Sequence, residues 1–287
     1  MSDTATLICP APGADSLDKE AHLVQWLRDR ESVLVGYSGG VDSAYLASIA
    51  LRTLGADRVL AVIGRSPSYP LEQWTTAREV AAQLSLPVLE IDTAELADPR
   101  YAANPSNRCY FCKSTLWGRL VPIARERGLA VVIDGTNADD LADYRPGALA
   151  AREHGVESPL AITGMSKADI RDRSRAIGLP TWARPSSPCL SSRIPYGSPV
   201  TAERLRRIEG AEQALRDLGI TGDLRVRDHG DLARIELRPQ AIAHWSVAAR
   251  SAQLSAAVRA AGYEHVALDL AGFRSGSLNV LAGVHAG

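Results

Sequence analysis

The sequence predicts a doubly wound, parallel α/β sheet followed by a smaller α+β unit. Three observations carry that prediction. Continuously apolar runs alternate with helix-length segments from residue 32 to about residue 134. The first run ends in a glycine-rich loop, and beyond residue 200 the pattern changes to shorter, paired strands. Strands that are apolar throughout are covered on both faces, and helices between them make the sheet parallel.

Taken in order, residues 1–20 are rich in Ala, Pro, Gly and Asp and read as a flexible leader. They lack a basic segment followed by an apolar one, so no signal peptide is expected. Ser32–Tyr37 reads as the first strand and Asp42–Leu54 as a helix with Tyr45, Leu46, Ile49 and Ala50 near helical spacing. Arg58–Gly64, Pro87–Asp92 and Val131–Asp134 read as further strands, with helices at Leu71–Leu84 and near Lys113–Arg127. Ser166–Ile177 has a serine at its start and a basic stripe, the pattern of a solvent-facing helix. Leu179–Pro199 is too rich in Pro and Ser for regular structure and reads as a functional loop and connector. Thr201–Leu218 is then helical, Asp223–Asp228 and Asp231–Leu237 are paired strands, Pro239–Ala261 is helical and His265–Leu270 is a last strand. The expected division is leader 1–20, nucleotide-type α/β domain 21–185, connector 186–200 and α+β domain 201–287.

The 287 residues suffice for this core. Charge is balanced, 32 Lys+Arg against 33 Asp+Glu, so no stable nucleic-acid partner is expected. No run approaches the roughly 20 apolar residues of a membrane span, and a cytoplasmic location is expected.

The stretch SGGVDS joins the first strand to the first helix of that sheet. Gly39 and Gly40 let backbone N–H groups of Ser38, Val41 and their neighbours converge on an anion, and the helix start adds free donors. Ser38 and Ser43 bring hydroxyls, and Asp42 beside a phosphate implies Mg²⁺. The Walker lysine is absent. A glycine-rich turn with a capping Asp is the plain alternative. DGTNADDLADYRPG follows the fourth strand and so lies on the same sheet edge. Its Asp134, Gly135, Asn137 and Arg145 are candidates for shaping a nucleotide site, against the alternative of a solvated acidic loop.

Cys109 and Cys112 stand in NRCYFCK, and Cys189 in SPCLSSRIPYG. The CxxC spacing lets two thiolates reach one metal centre. A zinc site would need a fourth ligand, a redox pair would want a thioredoxin-like context, and Cys189 could be an inert thiol. Three cysteines on a 4Fe–4S cluster would leave one iron open to bind hydrosulfide. Arg108, Lys113 and Arg193 should favour thiolates. Cys9 has no partner spacing.

SGGVDS resembles the SGGxDS signature of the PP-loop ATP pyrophosphatases, an adenine nucleotide alpha-hydrolase-like fold. With NRCYFCK, DGTNADDLADYRPG, GLPTWARPSSPCLSSRIPYG and LDLAGFRSGSLN, the chain resembles the LarE family from about Leu23 onward. That resemblance implies an ATP-dependent, AMP- and pyrophosphate-forming sulfur transferase of nickel-pincer nucleotide biosynthesis. It would adenylate a carboxylate of pyridinium-3,5-dicarboxylate mononucleotide and convert it to a thiocarboxylate. It implies Cys189 as the central residue of sulfur transfer. Cys109, Cys112 and Cys189 match the members with a 4Fe–4S cluster, whereas others sacrifice the sulfur of the single cysteine. It further implies ATP and Mg²⁺ at Ser38–Ser43, with Arg193 beside the cysteine loop. Arg225 and Glu236 match family positions for substrate phosphate and a metal ion, and Arg274 in FRSGS is a candidate phosphate contact, with interface packing as the plain alternative. The family's acidic stretch after RIE is RPQAIAHW here, which departs from the metal site. Homo-oligomers, hexamers among them, are implied as well. A tRNA 2-thiolation enzyme shares the PP-loop and the three cysteines but would bring a basic module or zinc-finger cysteines.

Overall fold

The structure, a computed structural model, describes residues 15–142, 146–185 and 187–274. Cys9, Arg145 and residues 275–287 lie outside the described residues. Helix α1 (Ser16–Arg30) begins inside the segment expected as leader, because Asp15 caps it, accepting from the amides of Leu17 and Asp18 at 2.8 and 2.9 Å. There follow β1 (Val33–Gly36), α2 (Val41–Leu54), β2 (Val59–Arg65), α3 (Leu71–Gln83), β3 (Val88–Asp92) and the single turn α4 (Pro99–Ala102). Then come α5 (Arg108–Glu126), β4 (Val131–Ile133), α6 (Pro146–Glu153), the turn α7 (Pro159–Ile162) and α8 (Lys167–Ala176).

The four strands form one parallel sheet in the order β3-β2-β1-β4. Successive side chains enter opposite cores. Val33, Val35, Ala61, Ile63 and Ile133 pack with α1, α2 and α3, while Leu34, Val62 and Val132 pack with Trp117 and Leu120 of α5 and with α6. Both faces are therefore covered, as continuous apolar strands require. β1 lies between β2 and β4, so the chain leaves β1 to one side first and reaches the other later. Ligands of such sheets sit at the carboxyl ends where the order reverses. SGGVDS and DGTNADD leave those two neighbouring ends.

Beyond the connector, α9 (Ala202–Asp217) precedes β5 (Leu224–His229), β6 (Leu232–Leu237), α10 (Pro239–Trp245), α11 (Ala248–Ala260) and β7 (His265–Leu268). β5 and β6 are antiparallel, β6 and β7 parallel, and the helices cover one core with them. The expected long helix is two, broken at Ser246 and Val247. A fourth apolar group, Tyr101, Leu190, Ile194, Val200, Leu205 and Ile208, seats the connector between the two sheets' helices. No helix among the described residues is long and apolar enough to cross a membrane.

Candidate active site

The loop after β1 is built so that only glycine fits at its bend. Gly39 has φ +67°, and a Cβ there would lie 2.5 Å from the Ala77 Cβ. Gly40 caps α2 without a side chain, which leaves the amides of the first turn open to a ligand. Ser43 Oγ accepts from the Ser38 amide at 3.2 Å and donates to the Gly40 carbonyl at 3.3 Å. These bonds close Ser38–Ser43 into a cradle, with Val41 packed beneath. Gly135 brings the second loop against it, since a Cβ there would lie 3.0 Å from the Ser43 amide nitrogen.

Within that second loop Asp134 is buried and accepts from Ser158 Oγ, Thr136 Oγ1 and the Thr136 amide at 2.7, 2.9 and 3.1 Å. Asp134 therefore shapes the loop from within. Asn137 accepts from the Asp139 amide and donates from Nδ2 to Asp42 Oδ1 at 3.4 Å. Asp42 also forms an ion pair with Lys167, a residue the sequence reading missed. Helix α8 is thus not simply solvent-facing. Ile170 and Ser174 are buried, and Lys19–Asp169 and Arg173–Glu20 pairs tie it to α1 at 2.6 and 3.0 Å.

The loop after β2 joins this cradle to the cysteines. Tyr69 Oη donates to the Ser38 carbonyl at 2.8 Å, and the Ser68 carbonyl accepts from the Leu190 amide at 2.8 Å. Ser38 and Cys189 are therefore held by neighbouring residues of one short segment. Helix α5 starts at Arg108, earlier than expected, so Cys109 and Cys112 lie on its first two turns, three residues apart on one face. Cys109 is exposed while Cys112 and Cys189 are half-buried.

Crowding by surrounding atoms nevertheless pushes the Cys109 thiol up, and the charge of Cys189 adds to this. Burial raises the Cys112 thiol to about 12, helped by the charges of Glu95 and Cys189. Arg108 and Lys113 pull Cys109 the other way, but the expected net preference for thiolates at Cys109 and Cys112 is reversed by burial and mutual repulsion. Arg108 is itself buried, donating to the Ser191 carbonyl at 3.0 Å and to Asn104. Burial alone would lower the Arg108 guanidinium, yet the Cys189 and Cys109 charges hold it above its ordinary value. Tyr101 Oη lies 2.7 Å from Ser191 Oγ, and its own proton is held tightly by burial and by Cys189.

Residues 20–108 match the NAD synthase family. Over 261 residues, 91% of this chain and 94% of the relative, the sequence is 36% identical to pyridinium-3,5-bisthiocarboxylic acid mononucleotide synthase of Lactiplantibacillus plantarum. This chain belongs to the LarE family. An uncharacterised protein of Synechocystis sp. is 44% identical over 91% of the chain and 97% of its own length. Another, from Methanocaldococcus jannaschii, is 31% identical over 72% of the chain and 78% of its own length.

The remaining candidates from the LarE resemblance are placed as follows. Arg193 is 2% exposed; it pairs twice with Glu212 at 3.0 and 2.9 Å and donates to the carbonyls of Pro188 and Cys189. As folded it clamps the cysteine loop. Arg225 is buried on β5 with its guanidinium 5.0 Å from the Phe273 ring, and burial with the charges of Arg193 and Arg227 lowers it to about 10. Glu236 is fully buried, its oxygens accepting from Arg227 at 2.7 Å and facing Arg234 at 3.2 Å. A metal role for Glu236 requires displacing those arginines. Arg274 is exposed, and its charge helps lower the Asp269 carboxyl. Among the described residues no three His, Cys, Asp or Glu side chains are gathered so as to hold a metal ion.

Proposed function

We propose that the protein is an ATP-dependent sulfur transferase. It adenylates a carboxylate of a pyridinium mononucleotide and exchanges the adenylate for sulfur, in the maturation of a nickel-pincer cofactor. The observation that carries this reading is the short segment Ser68–Tyr69, which ties the phosphate cradle at Ser38 to the cysteine loop at Leu190. Activation and sulfur delivery thus share one sheet edge. The name of the Lactiplantibacillus plantarum relative supplies the substrate class.

A carboxylate is a poor acyl donor because it would have to expel oxide. Its oxygen attacks the α-phosphorus of ATP, the bond to pyrophosphate breaks, and the acyl adenylate carries AMP as a leaving group. The open amides at the start of α2 and the hydroxyls of Ser38 and Ser43 take up the charge of the departing pyrophosphate. Lys167, now on Asp42, lies within reach of the same phosphates once that carboxylate is engaged elsewhere. Asp42 would hold Mg²⁺, which supplies charge neutralisation on the phosphates.

The cysteine site fits a 4Fe–4S cluster better than a single ion. Cys189 raises the thiols of Cys109 and Cys112, and Glu95 Oε2 is buried with no hydrogen-bond partner, so Arg108 and Lys113 do not fully balance the negative charge of the site. A single metal ion would need its donors gathered about it, which these are not. In a cluster each cysteine ligates a different iron. Cys109, Cys112 and Cys189 would hold the cluster, whose chemistry is to bind sulfide at the iron without a protein ligand. Arg108 balances the thiolate charge, and Arg193 fixes the loop bearing Cys189. Arg225 on β5, with Arg227 beside it, is a buried cation suited to a substrate phosphate.

The test separates the two half-reactions. Cys189→Ala should retain AMP and pyrophosphate formation and lose thiocarboxylate, while Asp42→Asn should lose both. Thiocarboxylate formed at the normal rate by Cys189→Ala would overturn the scheme. Dehydroalanine at position 189 after turnover, read by mass spectrometry, would replace the cluster with sacrificial donation.

A further inference from the structure

Glu95 is a buried acid that the reaction above leaves without a role. It opens a 3₁₀ turn, Glu95–Ala97, and is 2% exposed. Its Oε1 accepts from Ser68 Oγ at 3.0 Å, while Oε2 has no hydrogen-bond partner. A buried carboxylate oxygen without a donor is costly and uncommon, and it calls for a cation.

Two contacts tie the segment bearing Glu95 to the cysteine site. Leu96, the next residue, packs in the apolar group that contains Leu190 and Cys112. Ser68, which donates to Glu95, accepts through its carbonyl from Leu190, the neighbour of Cys189, at 2.8 Å. The Glu95 carboxylate is near enough to Cys112 for its charge to act on that residue.

We propose that Glu95 is the oxygen ligand to the iron that Cys109, Cys112 and Cys189 leave open, and that sulfide displaces it. The inference rests on the cluster reading above. Glu95 suits this task because iron in a sulfur-rich cluster prefers soft sulfur to hard carboxylate oxygen. The carboxylate therefore shields the iron from water and yields to hydrosulfide. One Fe–O bond would break and one Fe–S bond form, with no electron transferred, the hydrosulfide keeping its proton and Glu95 Oε1 staying on Ser68.

The experiment uses the full chain, reconstituted anaerobically with iron and sulfide and freed of excess sulfide. Glutamate labelled with carbon-13 at the side-chain carboxyl should give a hyperfine coupling to the reduced cluster, and added sulfide should abolish it. The isosteric Glu95→Gln should bind sulfide about tenfold more tightly by absorbance titration, because the competing bound state is gone. A labelled wild-type cluster without coupling overturns the proposal and needs no variant. Equal sulfide affinity in Glu95→Gln overturns it too. A wild-type chain that takes up no iron, or zinc alone, overturns the cluster reading and this proposal together, so the two failures are distinct.

Discussion

Gly39 concentrates the demands of the phosphate cradle in one residue. Its φ of +67° disfavours a side chain, and Ala77 occupies the place a Cβ would take. Gly39→Ala should cost about 1–3 kcal/mol in strain and move the loop. ATP affinity by calorimetry should then fall at least tenfold. Gly55 is the control: its φ is +82° but a Cβ would meet nothing within 4 Å. Gly55→Ala should lose stability and leave ATP affinity intact. Equal effects of both substitutions on ATP would show that strain, not the contact with Ala77, governs the cradle. The cysteines give a pH test. Burial raises Cys112 to about 12, so in the metal-free chain its reactive thiolate is scarce near neutrality. The rate of iodoacetamide labelling at Cys112 should rise about tenfold per pH unit from pH 7 until it levels toward that value. A rate that levels off below pH 9 would contradict the buried thiol.

Helix α8 shows how an element carries function through its first turn. Ser166 forms a capping box with Asp169, each side chain bonding to the other residue's amide. The box fixes where Lys167 begins the helix, and Lys167 reaches Asp42 in the phosphate loop. Ser166→Ala should cost about 1 kcal/mol by denaturant titration. It should also weaken ATP binding, whereas Lys167→Met should weaken ATP binding with little loss of stability. If Ser166→Ala left ATP affinity untouched, the cap would serve the helix alone. The sequence made the parallel strands plain because β1, β2 and β4 are apolar on both faces for most of their length. It also placed the two loops on one edge, since both follow strands. Lys167 was hidden because a basic stripe looks like a solvated face and its partner lies 125 residues away. The start of α5 was missed although Asn107 is a favoured capping type, and in the fold its side chain makes no cap bond. Glu95 was hidden because only the folded chain shows that its second oxygen lacks a donor.

At the scale of the molecule, the cysteine loop is held from both sides. The α/β sheet grips it through Ser68 and Leu190. The smaller unit grips it through Arg193–Glu212, through Arg227 on the Ser192 carbonyl at 3.0 Å, and through Arg204 on the Pro199 carbonyl at 2.8 Å. Glu212 also accepts from the Val226 amide at 3.0 Å, so one carboxylate joins the loop, α9 and β5. Arg193 and Glu212 side chains are 3% and 10% exposed, and removing one partner leaves a buried, uncompensated charge. Glu212→Ala should therefore destabilise the chain by about 3–5 kcal/mol. That loss alone would not separate a structural role from a positioning one. The double substitution Arg193→Met with Glu212→Leu does, because an apolar pair of similar volume recovers much of the stability. The recovered protein lacks the guanidinium that holds the carbonyls of Pro188 and Cys189. It should form AMP and pyrophosphate at the wild-type rate and thiocarboxylate at least tenfold more slowly. If both rates recovered with stability, the clamp would only hold the two units together. If sulfur transfer alone stayed slow, the second unit acts on the reaction by fixing where Cys189 stands.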